Sequence, residues 1–196
     1  MELIETAPIA TAAFPLAAFR DHLRLGTGFG DDTLQDGVLE TCLRAAIARV
    51  EGHCGKVVLA RPYRLTLGEW RDLSRLVLPL APVAAVTRLA IFDRSGAETV
   101  IAPAQYRLIR DDHRPMLISS GYNLPQIPLT GRAEIDFDAG FAGWAVVPGD
   151  MAQAVLLLAA GIYENRDGQA GGGMPVLVSG LLARFRVLRI GGGFSA

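Results

Sequence analysis

The spacing of apolar residues changes near Arg61 and changes back near Pro148, and this double switch limits what the chain can fold into. Before the first switch, Leu34, Val38, Cys42, Ala46 and Val50 recur at helical spacing, with Leu39, Leu43 and Ile47 as a neighbouring ridge. Gln35, Asp36, Glu40, Arg44 and Arg49 take the other side, so an amphipathic helix is predicted over about 32–53. Asp31 or Asp32 stands where a cap is needed, with Gln35 as its capping-box partner, and Gly52 and Gly55 stand at the stop. A shorter helix is predicted over about 15–25, opened by Pro15.

From Arg61 the period is two. "YRLTL", "RLVLPL", "VTRLAIF", "TVIAP", "QYRLIR", "PMLIS" and "RAEIDFDAGF" read as short strands, with "DRSG" as a hairpin turn. In the last of them Ile135 and Phe137 face one way, and Glu134, Asp136 and Asp138 the other. Helix returns over about 149–165. Its middle is apolar nearly all the way round, which calls for cover on every side. Val155, Leu156, Leu157, Leu158, Ile162 and Tyr163 are therefore candidate contacts between subunits. The expected fold is α+β: a helical bundle body with a β-rich insertion, about 57–140, between the second and third helices, and an extended C-terminal tail. The body is expected over 1–167 and the Gly-flanked tail over 168–196.

The totals exclude several functions. With 51% hydrophobic and 20% charged residues in 196, this is a globular composition. A net charge of −1 is wrong for a protein that coats nucleic acid. Cys42 and Cys54 make no CxxC and no disulfide framework, and fit a reducing cytoplasm. The N-terminus lacks the pattern of a signal peptide, and "MAQAVLLLAAGIY" falls short of the ~20 residues a membrane span needs. The expectation is a soluble product with no membrane partner.

Candidate chemistry is thin. "GTGFG" lacks both the GxGxxG spacing and the preceding strand of a dinucleotide loop, and the one lysine, Lys56, follows no phosphate loop. His53 and Cys54 are helix neighbours whose side chains diverge, and Cys42 belongs to an apolar ridge. His22, His53 and His113 have no zinc-type spacing. Asp136 and Asp138 share a strand face, which reads as a solvated face, and Asp111 and Asp112 read as turn residues. No catalytic, metal or cofactor site is predicted.

The tail carries the stronger signal. No acidic residue follows Asp167, and two glycine triplets bracket an apolar, arginine-bearing segment. A helix is predicted over Ser179–Arg189, with Ser179 as its cap. Leu181, Leu182 and Phe185 lie on one side of it, beside Arg184 and Arg186, with Arg189 just beyond. An apolar face rimmed by arginines suits a protein partner better than bare DNA. Glycine joints make docking on the chain's own body costly in entropy.

Taken in order, "FRDHLRL", the stretch from "DDTLQDGVLE" through "RPYRLTL", "LVLPLAPVAAVTRLAIFDRSG", "QYRL", "IDFDAGF", "VPGDMAQAVLLLAAGIYENR" and "LLARFR" resemble one family. It is the head–tail connector (adaptor) family of long-tailed bacteriophages and of prophage-derived gene transfer agents. The resemblance covers about Leu16 to Arg189. It implies a structural protein of the neck of a phage-like particle, made in the bacterial cytoplasm. Its partners would be its own copies in a ring, usually of twelve, the portal protein above, and a tail-completion or stopper protein below. DNA would pass through the ring without specific binding, along a neutral or acidic bore to which "DD" and the neighbouring helix contribute. The tail would dock on the portal. Removing Gly171 to Ala196, or changing Leu181, Leu182 and Phe185 to alanine, would then abolish joining to heads. The glycine triplets are a departure from the family pattern. The alternatives are an uncharacterised enzyme and a stand-alone DNA-binding module.

Overall fold

The computed structural model describes residues 1–25, 35–165 and 173–186. Its helices are α1 (Leu16–His22), α2 (Asp36–Cys54), α3 (Gly149–Glu164) and α4 (Val176–Leu182). Its strands are β1 (Glu2–Glu5), β2 (Arg61–Leu67), β3 (Arg75–Val77), β4 (Val83–Phe92), β5 (Glu98–Val100), β6 (Tyr106–Ile109), β7 (Met116–Ser119) and β8 (Arg132–Ala139). None of the described helices is long and apolar enough to cross a membrane.

The expected helical bundle body is not what forms. Two hydrophobic cores stand side by side, and the sheet-rich one is no appendage of the other. Phe19, Leu39, Leu43, Ile47, Met151, Val155, Leu158, Val178 and Leu182 meet in the helical core. Leu65, Leu89, Leu117, Ile135 and Phe137 centre the other. The physical reason lies in element length. α1 and α4 have only seven residues each, about two turns, too little to make a bundle with α2 and α3. The alternating segments instead bury their own faces against one another.

Those segments form an antiparallel five-stranded sheet, β1-β2-β8-β4-β5, and a three-stranded sheet, β3-β7-β6. β8 is the last strand in sequence yet sits between β2 and β4, pairing Ile135 with both Leu65 and Leu89. The strand β1 was not expected. It pairs with β2 from Glu2↔Thr66 to Glu5↔Tyr63, so the N-terminal residues belong to the sheet. The "DRSG" hairpin forms as expected between β4 and β5.

Helix boundaries shift where caps differ from expectation. Gly55 ends α2 in the left-handed region at φ 68°, whereas Gly52 lies inside the helix. Gln35 occupies the N-cap without a side-chain cap, and the predicted caps Asp31 and Asp32 lie outside the described residues. Of the first α2 ridge, Cys42, Ala46 and Val50 are buried, Val38 is exposed, and Leu34 lies outside the described residues. Ser179 is not a cap. α4 begins earlier, after Pro175, and a short 3-10 turn, Ala183–Phe185, follows it.

The two cores are pinned together at the turn from α2 into β2. Glu51 accepts two hydrogen bonds from the Arg61 guanidinium, at 2.9 and 2.7 Å, and one from the Val58 N–H at 2.8 Å. Arg61 also reaches Glu5 of β1 at 2.7 Å. Lys56 is buried at the same junction, where its ammonium donates to the Asp112 carbonyl oxygen. Burial holds the Lys56 ammonium below the usual lysine range.

Candidate functional site

The residues that could have carried chemistry are engaged structurally. Burial pushes the Cys54 thiol up to about 11, and its S–H donates to the Val50 carbonyl at 2.9 Å, so it is a poor nucleophile. Asp111 accepts from the His113 and Arg114 N–H groups, each at 2.7 Å, which holds its carboxyl below the usual range and closes a turn. Among the described residues no three of His, Cys, Asp and Glu gather as metal ligands.

The outer face of the large sheet is charged, and its arginines are all paired with carboxylates. Arg64 binds Asp136 through two hydrogen bonds, at 2.6 and 2.9 Å, and holds its carboxyl below the usual range. Arg88 reaches Asp136 at 3.4 Å and pairs with Glu98. Arg132 binds Glu134 at 2.8 Å. Glu134 is buried beneath these arginines, so this face is not the freely solvated one that alternation alone predicted. Arg64, Arg88 and Arg132 meet Glu98, Glu134 and Asp136, and with Asp138 and Glu2 on the same face there is no positive excess that would grip a phosphate backbone.

The candidate surface is built by α3 and α4. Of the inter-subunit candidates, Val155 and Leu158 are buried in the chain's own helical core, while Leu156, Leu157, Ile162 and Tyr163 are packed against it and partly exposed. α4 lies on α3. Arg49 of α2 donates to the Gly173 carbonyl at 2.9 Å, and Arg184 pairs with Asp150 at the start of α3 at 3.2 Å.

The tail residues divide accordingly. Leu182 is 0% exposed inside the helical core, beside Val178. Leu181 and Phe185 are partly buried, with the Arg184 guanidinium 4.6 Å from the Phe185 ring. Arg186 is exposed, and Arg189 lies outside the described residues. The reading from sequence missed Val176 and Leu177, which are 90% and 66% exposed. With Gly180, Leu181 and Asp150 they line an open recess of about 510 Å³. The signal was present in "PVLV", but a helix started at Ser179 leaves those residues outside it.

No protein-family model and no curated protein matches the chain. Solved structures do. The chain is similar to one in the neck of an empty gene transfer agent particle with C6 symmetry, at 49% identity and a TM-score of 0.90, over 98% of this chain and 99% of that one. A second similar chain comes from the virion of a native gene transfer agent particle, at 48% identity and a TM-score of 0.87, with the same coverage. A third comes from the neck of the native particle with C12 symmetry, at 44% identity and a TM-score of 0.85, also over 98% and 99%. Identity and coverage of this order join the segments read from the sequence into one match, and the chain belongs to the head–tail connector (adaptor) family of long-tailed bacteriophages and gene transfer agents.

Proposed function

We propose that this chain is a structural head–tail adaptor, not an enzyme, in the neck of a phage-like particle. It forms a ring there that joins the DNA-filled head to the tail and leaves a central passage for DNA. The observation that carries the reading is the end-to-end likeness, at 49% identity, to a chain from a gene transfer agent neck. The outer face of the large sheet, whose arginines are all paired with carboxylates, offers no grip on DNA, and the neutral or acidic bore expected at "DD" and α2 stays a proposal of ours. Neck symmetries of C6 and C12 in the relatives support a ring, and we take twelve copies as the ring size.

The portal above and a tail-completion protein below are the partners we propose; of the segment 168–196 expected as a docking tail, α4 packs into the helical core of the body, and its exposed face is the docking surface we propose. Val176, Leu177 and Leu181 are the apolar residues α4 offers to the portal, with Arg184 at their side, whereas Arg186 lines a different groove near the end of α2. Leu182 and Val178 hold α4 to α3 instead. Leu156, Leu157, Ile162 and Tyr163 are the α3 residues left to meet a neighbouring copy.

Complementation of a particle-producing strain that lacks this chain tests the reading. DNA-filled heads without tails are expected in its absence, and whole particles when it is restored. Val176→Asp with Leu177→Asp should fold normally yet leave heads untailed. Tailed particles in the strain without the chain contradict the adaptor role, and tailed particles with the double variant contradict the portal-docking role of α4.

A further inference from the structure

The three-stranded sheet ends at β3, whose outer edge pairs with no strand among the described residues. On the inner edge the Ser119 N–H donates to the Ser74 carbonyl at 3.0 Å and the Leu78 N–H to the Pro115 carbonyl at 2.9 Å. The alternation of an antiparallel ladder then turns the N–H and C=O groups of Arg75 and Val77 to the outer side. That side borders a groove of about 1170 Å³, whose far wall includes the end of α2. Three guanidiniums in it, those of Arg71, Arg114 and Arg186, have no ion pair among the described residues. Of its two carboxylates, Asp72 is already bound by Arg75 at 2.8 Å, leaving Glu69. The Nε2 of His53 is buried in the same wall without a hydrogen-bond partner among the described residues.

We propose that this groove seats an extended acidic segment of a partner protein, which adds a strand to the open edge of β3. Backbone groups of Arg75 and Val77 would supply main-chain hydrogen bonds, and the unpaired arginines would select acidic side chains. Charge decides the occupant. The chain's own residues 187–196 start beside Arg186, but they carry Arg189 and no acidic side chain. They match a cationic groove poorly. The proposal goes beyond the adaptor reading and does not depend on portal attachment.

Fluorescence anisotropy on the full chain tests it, with a labelled short peptide alternating Glu with Val and a second peptide with Lys in place of Glu. The acidic peptide should bind at least roughly tenfold more tightly, and added salt should weaken it. Arg71→Glu with Arg114→Glu should lower its affinity about tenfold or more. Val77→Pro removes an outward N–H at an edge position where proline is tolerated, and should do the same. A Glu–Val peptide N-methylated at alternate residues makes that test without altering the protein, and should bind about tenfold more weakly. Absence of binding, equal binding of the Lys peptide, or indifference to N-methylation overturns the proposal. Tighter binding to a chain ending at Arg186 names residues 187–196 as the occupant and overturns it too, as does a dimer of the free protein that the peptide dissociates. Particle assembly scored on the same variants keeps this outcome separate from that of the adaptor reading.

Discussion

Asp136 shows how one side chain changes meaning once its neighbours are known. Sequence places it on an outward strand face, and alternation alone makes that face solvent-exposed. In the fold, β2 and β4 flank β8 and bring Arg64 and Arg88 onto it. Its folded pKa lies below the unfolded value, so its contribution is present above about 3.9 and is lost as pH falls through the folded value. Asp136→Asn should therefore cost about 1 kcal/mol at neutral pH, a figure already reduced for the partial exposure of the pair. The gap between variant and parent should begin to narrow below pH ~3.9 and shrink further with falling pH when both are unfolded in urea across the acid range. A gap that does not narrow at all as the pH falls below ~3.9 would contradict this assignment. Two tail residues divide in the same way. Leu182→Ala opens a cavity under α4 and should cost about 2 kcal/mol or more, seen as faster amide exchange in α4. Val176→Asp should stay within about 0.5 kcal/mol of the parent in the same measurement, because its side chain faces solvent.

At the scale of elements, α2, α3, β2, β4 and β8 were legible because each repeats its period often enough to show it, and the short strands β3, β5, β6 and β7 were legible from apolar alternation between turn residues. Four-residue β1 was not, since "ELIE" is too short to establish alternation and takes its strand form from pairing with β2. Nor was strand order. Alternation says which face is apolar, but nothing local tells β8 to enter between β2 and β4. The mistaken start of α4 had a specific cause, because Ser179 is a good cap by type whereas Pro175 begins a helix through its fixed φ. Gly140 marks where β8 must stop. It sits at φ 113°, and a Cβ there would lie 2.6 Å from the Leu59 carbonyl carbon. Gly140→Ala should cost about 2–4 kcal/mol in thermal or urea unfolding, and a neutral result would contradict the close approach of these two segments.

For the whole molecule, the sequence carried the function further than it carried the architecture. The order of "FRDHLRL", "IDFDAGF" and "VPGDMAQAVLLLAAGIYENR" led to the right family, while the same segments suggested a bundle with a β insertion. The miss is physical. Periodicity reports which face of an element is buried, but not whether the sheet supplies a complete core of its own, as Leu65, Leu117, Ile135 and Phe137 do here. The apolar excess of α3 likewise had two possible covers, its own core and a neighbouring copy. Val155 and Leu158 go to the first, and Leu156 and Leu157 stay partly exposed, which is why we propose them for the second. The most direct test of the adaptor account is the mass of the purified chain mixed with its cognate portal. The account predicts one complex whose mass exceeds the portal's by twelve chains, in line with the C12 symmetry of the related neck. A portal whose mass is unchanged, with the chain left free at micromolar concentration, would contradict it.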